Sequence, residues 1–249
     1  DRVYPPKPRR VYSFATCLVE SLYPAAGLAA IRLLQREGVE VVFPRGQSCC
    51  GQPAYNAGFF REARTVARRQ LQAFPEDLPI VAPSGSCGGM LRHHYPYLFA
   101  GRPEWEAARR FAARVFEWGE LMRHVLRVRL EDRGPPLKVT WHSSCHALRE
   151  MGVTEDAKAL LRQLVRVELV ELKREEECCG FGGTFAVKQP AISAAMAADK
   201  AEDIRATGTA RVITGDGGCL MNIAGALEHR GIPVRGQHLA DFIWERTHG

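Results

Sequence analysis

This chain is constrained above all by a cysteine pattern that occurs twice along its length. Each copy has a single cysteine, the tripeptide Cys-Cys-Gly and a fourth cysteine, separated by gaps of 31 to 39 residues. The positions are Cys17, Cys49, Cys50 and Cys87 in the first copy and Cys145, Cys178, Cys179 and Cys219 in the second. They include every cysteine of the chain, and corresponding positions lie 128 to 132 residues apart. Such a repeat predicts two halves of similar fold.

Short apolar or β-branched runs alternate with amphipathic stretches in both halves, which predicts alternating strands and helices. The predicted strands are 11–15, 39–43, 78–82, 139–141, 167–172 and 212–214. The predicted helices are 24–37, 58–74, 105–126, 154–165, 190–206 and 236–246. We therefore expect an α/β fold of two pseudo-symmetric repeats, each a mostly parallel sheet flanked by helices. The cysteines would lie at the carboxyl ends of the strands, where such sheets collect their ligands.

A proline- and glycine-rich stretch, 131–138, predicts the linker between the two halves. It contains Gly134-Pro135-Pro136, which favours neither helix nor strand. We accordingly divide the chain into a first repeat, 1–132, and a second repeat, 133–249.

The composition is that of a folded protein, with 249 residues, 46% hydrophobic and 25% charged. The sequence contains no run of about eighteen apolar residues, so a transmembrane segment is not predicted. Residues 1–10 lack the apolar core of a secretory signal. We expect a cytoplasmic location, where thiols stay reduced and clustered cysteines bind metals or act in catalysis. The net charge is +6, but acidic residues interleave with the arginines, so nucleic acid is not an expected partner.

Four thiolates that converge repel one another unless a cation lies between them. Four sulfur ligands suit zinc or an iron–sulfur cluster, and Gly51 and Gly180 allow the sharp turn that two adjacent cysteines need. The candidate ligands are the eight cysteines. Two alternatives stay open, namely cysteines that only pack as small apolar residues and cysteines that form disulfides.

Two other groups of residues carry a weaker signal. His142 and His146 flank Cys145, and we favour structural roles for both over roles in proton transfer. The glycine-rich stretches 180–183 and 215–218 lack the spacing of a dinucleotide-binding fingerprint, so NAD or FAD is not expected.

Several stretches resemble the CCG family of cysteine-rich domain proteins. They are residues 15–19, 49–56, 83–87, 178–185 and 219–223. The family motif is one cysteine, a long gap, Cys-Cys-Gly, a similar gap and Cys-x-x-Cys, and the resemblance extends from about residue 11 to the C-terminus. Where the full motif has the first cysteine of Cys-x-x-Cys, this chain has Ser84 and Asp216. The resemblance thus makes Asp216 a candidate oxygen ligand or hydrogen-bond acceptor beside the site, and Ser84 a local hydrogen-bond partner of the backbone.

The resemblance is strongest to family members that take part in lactate utilisation. It implies an iron–sulfur electron-transfer subunit with up to two [4Fe–4S] clusters, in a complex that oxidises L-lactate to pyruvate or a related 2-hydroxy acid such as glycolate. It also implies partner subunits, including a second iron–sulfur protein, and leaves open whether this chain is itself catalytic. Two alternatives remain. One is a scaffold subunit with zinc in one or both sites, and the other is a thiol–disulfide reductase similar to heterodisulfide reductase. The absence of a fifth cysteine in each motif disfavours the reductase.

Overall fold

The computed structural model describes residues 2–248, which form two four-stranded sheets that are parallel throughout. The strands are β1 (Arg10–Ser13), β2 (Glu40–Val42), β3 (Ile80–Ala82), β4 (Val115–Glu117), β5 (Leu137–His142), β6 (Val167–Val170), β7 (Arg211–Thr214) and β8 (Arg235–His238). The first sheet has the order β2-β1-β3-β4 and the second the order β6-β5-β7-β8. The two orders are equivalent, so the predicted α/β class and the predicted repeat are both confirmed.

Helices connect the strands and cover the sheets. They are α1 (Cys17–Leu22), α2 (Pro24–Arg36), α3 (Gln52–Asn56), α4 (Phe60–Ala73), α5 (Gly85–Gly89), α6 (Tyr95–Leu98), α7 (Trp105–Ala113), α8 (Trp118–Glu120), α9 (Thr154–Arg162), α10 (Phe185–Lys188), α11 (Pro190–Ala206), α12 (Gly217–His229) and α13 (Leu239–His248). Three π-helical turns follow or join them, at Met90–His94, Leu121–Val125 and Ala147–Met151. Within residues 2–248, no helix is both long enough and apolar enough to cross a lipid bilayer.

The fourth strand of each sheet was not predicted, and this makes two helix predictions wrong in part. The predicted helix 105–126 is interrupted by β4, because Val115 pairs with Ile80 and all three residues of β4 are buried. The predicted helix 236–246 begins only at Leu239, because residues 235–238 pair with β7 as β8. Both segments carry apolar residues that fit a helical period, and pairing with a distant strand decides their structure.

One hydrophobic core continues across both halves. It joins Leu33 of α2 and Trp118 of α8 to Trp141 of β5 and Ile243 of α13. The Trp118 indole donates a hydrogen bond to the carbonyl of Ala30, at 3.2 Å. The two repeats therefore pack as one unit, although the secondary structure repeats from one half to the other.

A buried ion pair holds the segment between the halves against the last helix. The Arg246 guanidinium lies 2.6 Å from Asp132, and both side chains are almost inaccessible to solvent. The same guanidinium donates to the carbonyl of Pro135, at 2.6 Å, and leaves no room for a Cβ at Gly134. Although burial opposes it, the hydrogen bond from Arg246 holds the pKa of Asp132 below its usual value.

We expect Arg246→Met to lower the free energy of unfolding by about 3 to 5 kcal/mol, because it leaves the Asp132 carboxylate buried without its partner. Urea denaturation of the variant and the wild type measures the difference. The matched control is Arg133→Met, which removes an exposed ion pair with Glu131 and should cost less than about 1 kcal/mol. Equal losses in the two variants would contradict the structural role of the Asp132–Arg246 pair.

Candidate metal centre

The two cysteine sets face one another across a single cavity of about 320 Å³. All eight cysteines line this cavity, which we call the sulfur cavity: Cys17, Cys49, Cys50, Cys87, Cys145, Cys178, Cys179 and Cys219. All eight are free thiols. The predicted convergence of four cysteines in each half therefore occurs, and the two groups meet in one place rather than at separate ends of the molecule.

Strand ends and helix starts deliver the cysteines to this cavity. Cys17 is the first residue of α1, which begins shortly after β1, and Cys145 occupies the corresponding place after β5. Cys87 lies in α5 after β3, and Cys219 lies in α12 after β7. Because all strands are parallel, their carboxyl ends share one edge of each sheet, and residues far apart in sequence become neighbours there.

The four thiols of each half form a continuous row. In the first half Cys17 Sγ lies 3.9 Å from Cys49 Sγ. The neighbouring thiols of Cys49 and Cys87 both raise the pKa of Cys50, which lies between them. The second half has the same order, from Cys145 through Cys178 and Cys179 to Cys219. Each row is thus arranged to offer four sulfur ligands to one metal ion or cluster.

The first cysteine of each Cys-Cys-Gly tripeptide is prepared to carry a negative charge. Hydrogen bonds from the Cys17 and Cys50 thiols lower the pKa of Cys49, and Cys178 is shifted the same way by its two neighbours. A backbone N–H adds to this effect, since Gly51 N lies 3.5 Å from Cys49 Sγ. The thiolate is the form that ligates metals.

The glycines of both tripeptides adopt a left-handed conformation, which provides the sharp turn that the sequence predicts. Gly51 has φ +85° and Gly180 has φ +84°. At Gly180 a Cβ would also lie 2.7 Å from the carbonyl oxygen of Ser193. The turn thus excludes other residues both by its backbone angle and by its surroundings.

Side chains distant in sequence hold the carbonyls of the paired cysteines in place, and no sequence motif predicts these contacts. The Tyr95 hydroxyl donates to the carbonyl of Cys50, at 2.9 Å, and Asn222 donates to that of Cys179, at 2.7 Å. The buried Gln70 donates to the carbonyl of Cys49, at 3.2 Å. These contacts hold each turn in place with respect to its own half.

Asp216 and Ser84 occupy the two positions at which the family motif has its further cysteine, and they bond to each other across the two halves. The Ser84 hydroxyl donates to Asp216 Oδ2 at 3.0 Å, and the N–H of Ser86 donates to the same oxygen at 3.0 Å. Asp216 Oδ1 accepts from the N–H groups of Gly218, at 3.1 Å, and Cys219, at 3.5 Å, and so caps α12. Both carboxylate oxygens therefore already have donors, which favours a positioning role over ligation.

Close packing brings the two halves together beside the sulfur cavity. A Cβ at Gly85 of α5 would lie 2.5 Å from the Cβ of Ala147 in the second half. At the corresponding place, a Cβ at Gly217 of α12 would lie 3.3 Å from a methyl group of Val19 in α1. The helix that carries the last cysteine of each set thus packs against the first helix of the other set.

The two histidines around Cys145 differ in their surroundings. His146 Nδ1 lies 3.3 Å from Cys145 Sγ. His142 is completely buried, and neither of its ring nitrogens has a hydrogen-bond partner within residues 2–248. One of these nitrogens and the sulfurs of Cys179 and Cys219 all lie within 4.8 Å of one another. Burial and then the positive charge of Lys200 lower the pKa of His142 to about 3, so its imidazole is neutral and can bind a metal.

Glu117 ends β4 and caps the next helix, α8. Its carboxylate accepts from the N–H of Glu120 at 3.1 Å, and it lies near Gly215 of the second half. Burial raises the pKa of Glu117 from 4.5 to about 8. The folded chain therefore keeps a proton that the unfolded chain releases.

We expect Glu117→Gln to flatten the pH dependence of stability between pH 4.5 and 8. In the wild type the unfolded state binds fewer protons in this window, so stability falls as pH rises, by up to about 1.4 kcal/mol per pH unit. Glutamine keeps the helix cap but cannot ionise. The stability of the variant relative to the wild type therefore increases as pH rises. Urea denaturation at several pH values in this window measures the gain, with the exposed Glu131→Gln as control. Parallel curves for the wild type and Glu117→Gln would rule out the effect.

The chemistry of these donors fits a resident metal group in each half. Each row offers four sulfur atoms, with one thiolate already stabilised by thiol and backbone donors. The second half adds a neutral, unpartnered imidazole. Sulfur-rich sets of this kind suit iron–sulfur clusters or zinc.

Comparison with known proteins finds a matching domain in each half and similar proteins along almost the whole chain. The model of the CCG cysteine-rich domain matches twice, at residues 11–92 and 139–224. Lactate utilization protein A of Geobacillus thermodenitrificans is 42% identical over 239 residues, which cover 96% of this chain and 100% of that protein. Lactate utilization protein A of Halalkalibacterium halodurans is 41% identical over 241 residues, which cover 96% of this chain and 98% of that protein.

A solved structure has a similar fold. The crystal structure of a hypothetical protein from Helicobacter pylori superposes with a TM-score of 0.70 at 8% sequence identity. The match covers 97% of this chain and 49% of that one. At this identity the likeness concerns the fold alone.

Proposed function

This chain belongs to the CCG family of cysteine-rich domain proteins, and on that premise we propose that it is the iron–sulfur electron-transfer subunit of a 2-hydroxy-acid oxidoreductase. Its substrate would be L-lactate, oxidised to pyruvate, or a related acid such as glycolate. The chain would work with other subunits, including a second iron–sulfur protein. It would carry electrons rather than bind the hydroxy acid itself.

The observation that carries this proposal is the convergence of all eight cysteines on the sulfur cavity in two equivalent rows. Cys17, Cys49, Cys50 and Cys87 would hold one group, and Cys145, Cys178, Cys179 and Cys219 the other. An iron–sulfur cluster supplies reversible one-electron transfer when it is bound.

The residues around the cysteines would tune such a group. The N–H groups of Gly51 and Gly180 point at cysteine sulfurs, at 3.5 and 3.3 Å, and hydrogen bonds to sulfur raise a reduction potential. Leu18 and Phe181 line the same cavity and limit the access of water. Asp216 holds the helix that carries Cys219 at a fixed place between the halves.

The hydroxy-acid substrate is supported by the names of the relatives. Proteins called lactate utilization protein A are 41% to 42% identical and match along almost the whole chain. An identity of this size over equal lengths supports a shared role in lactate utilisation.

A second candidate is zinc in the second half, with a cluster in the first. The unpartnered His142 beside Cys179 and Cys219 favours it, because zinc is commonly bound by cysteines together with histidine. Zinc has no redox chemistry, so that half would then be structural and electrons would use the first centre alone.

Complementation tests the proposed function. In Geobacillus thermodenitrificans the gene for lactate utilization protein A would be replaced by one encoding this chain. We expect growth on L-lactate to be restored by the wild type and lost in a Cys50→Ser, Cys179→Ser double variant. Growth on glucose controls for general fitness. If the chain accumulates with bound iron but does not restore growth on L-lactate or glycolate, the assignment of the substrate is wrong.

A further inference from the structure

The two halves differ in one layer directly beneath the cysteines. In the second sheet His142 pairs in register with Thr214. The first sheet has the same register, because Tyr12 pairs with Ile80 as Thr140 pairs with Val212. Two residues further along each strand, the same register places Phe14 opposite Ala82 in the first sheet. Phe14 therefore corresponds to His142, and Ala82 corresponds to Thr214. A polar pair thus replaces an apolar pair at the base of the second set only.

The polar side-chain atoms of this pair do not contribute hydrogen bonds within residues 2–248. His142 is fully buried, and neither of its ring nitrogens has a hydrogen-bond partner in the part of the chain that the structure describes. The buried hydroxyl of Thr214 also lacks a partner. Phe14 and Ala82, which are likewise inaccessible to solvent, fill the equivalent space in the first half without burying an unpartnered polar group. A buried imidazole without partners is unfavourable and calls for an explanation.

The position of His142 supplies the explanation. A ring nitrogen of His142 and the sulfurs of Cys179 and Cys219 all lie within 4.8 Å of one another. Two ligands of one tetrahedral metal, at bond lengths of about 2.0 to 2.3 Å, lie roughly 3.5 to 4 Å apart, so a small adjustment of the side chains completes the set. The phenyl ring of Phe14 offers no ligand atom at the matching place.

We propose that His142 is a nitrogen ligand of the metal centre held by the second cysteine set, so that the chain carries two chemically different centres. This inference rests on the proposed function in so far as that function requires a metal in each half. Four cysteines and His142 exceed the four ligands of one tetrahedral metal, so His142 would take the place of one thiolate of the second set. A neutral imidazole there makes the centre less negative, which for iron–sulfur groups raises the reduction potential. An electron shared between two such clusters would then reside on the second one.

Cobalt provides the test, because Co²⁺ occupies sulfur–nitrogen sites of the zinc type and is paramagnetic. Metal-free protein labelled with [¹⁵N]histidine is reduced, loaded with Co²⁺ alone under anaerobic conditions and examined by pulsed EPR. We expect the ¹⁵N coupling of a directly bound imidazole in the wild type. The coupling should disappear in His142→Phe, which copies the first half. It should persist in His146→Gln, which removes the other nearby histidine, and in Phe14→Leu.

Three results would overturn the assignment: bound cobalt without a histidine coupling in the wild type, a coupling that persists in His142→Phe, or no binding of cobalt by the second set. The wild-type spectrum does not depend on the folding of any variant, and circular dichroism checks that His142→Phe is folded. The test is also separate from that of the proposed function. A cobalt coupling in a protein whose native form contains no iron would retain His142 as a ligand and remove the electron-transfer role.

Discussion

Replacing Cys50 or Cys179 with serine is expected to empty one half of the molecule and to lower the metal content of anaerobically prepared protein by about half. Each of these residues lies in the middle of its row of thiols, and the neighbouring cysteine on either side raises its pKa. Both are buried, so the serine hydroxyl that replaces the thiol has no access to water and no tendency to ionise. Iron and zinc analysis of the purified variants, together with visible absorption, measures the loss.

The half that is not altered acts as the internal control of each variant. Cys50→Ser should retain the signals of the second centre, and Cys179→Ser those of the first. The sum of the two spectra should then reproduce that of the wild type. If either single variant loses all of its metal, the sulfur cavity holds one shared group and the assignment of one group to each half is wrong.

Asp216→Ala is expected to lower the free energy of unfolding by about 3 to 5 kcal/mol. Loss of the cap at the start of α12 accounts for roughly 1 kcal/mol, and each buried donor left unsatisfied costs about 1 to 3 kcal/mol. Those donors are the hydroxyl of Ser84 and the N–H groups of Ser86 and Gly218. Urea denaturation of the metal-free protein measures the loss without a contribution from bound metal.

Two further variants separate the parts of this effect. Asp216→Asn keeps one oxygen to cap the helix but presents an amide N–H₂ to other donors, so it should lose less than the alanine variant. Asp199→Ala removes an exposed carboxylate and should change stability by less than about 0.5 kcal/mol. If Asp216→Ala were as mild as Asp199→Ala, the link between Ser84 and Asp216 could not be what holds the two halves in register.

The sequence predicted the parts of the fold that depend on local pattern. The predicted helix 190–206 matches α11 at both ends, and the helix predicted at 24–37 matches α2 to within one residue. It did not predict β4 and β8, because each has only three or four residues and forms by pairing with a strand distant in sequence. The helices α5 and α12 were also missed, because their first turns contain glycines and a cysteine rather than strong helix formers. Helix α1 was missed because it has only six residues.

The candidate metal centre was also predicted only in part from the sequence. The repeat predicted the convergence of four cysteines in each half, and the glycine of each Cys-Cys-Gly predicted its turn. The sequence could not show that both sets share one cavity, because that depends on how the two halves pack. Nor could it show that Ser84 meets Asp216, at a separation of 132 residues. His142 could have been identified by aligning the halves at the cysteine spacing, which places it opposite Phe14.

The most direct test of the central claim is metal and acid-labile sulfide analysis of the full chain, prepared without exposure to oxygen. We expect a metal group in each half, giving about eight iron atoms per chain for two clusters, or about four iron atoms and one zinc if the second half holds zinc. Fewer than about one metal atom per chain, with all eight thiols free to react with a thiol reagent, would contradict it.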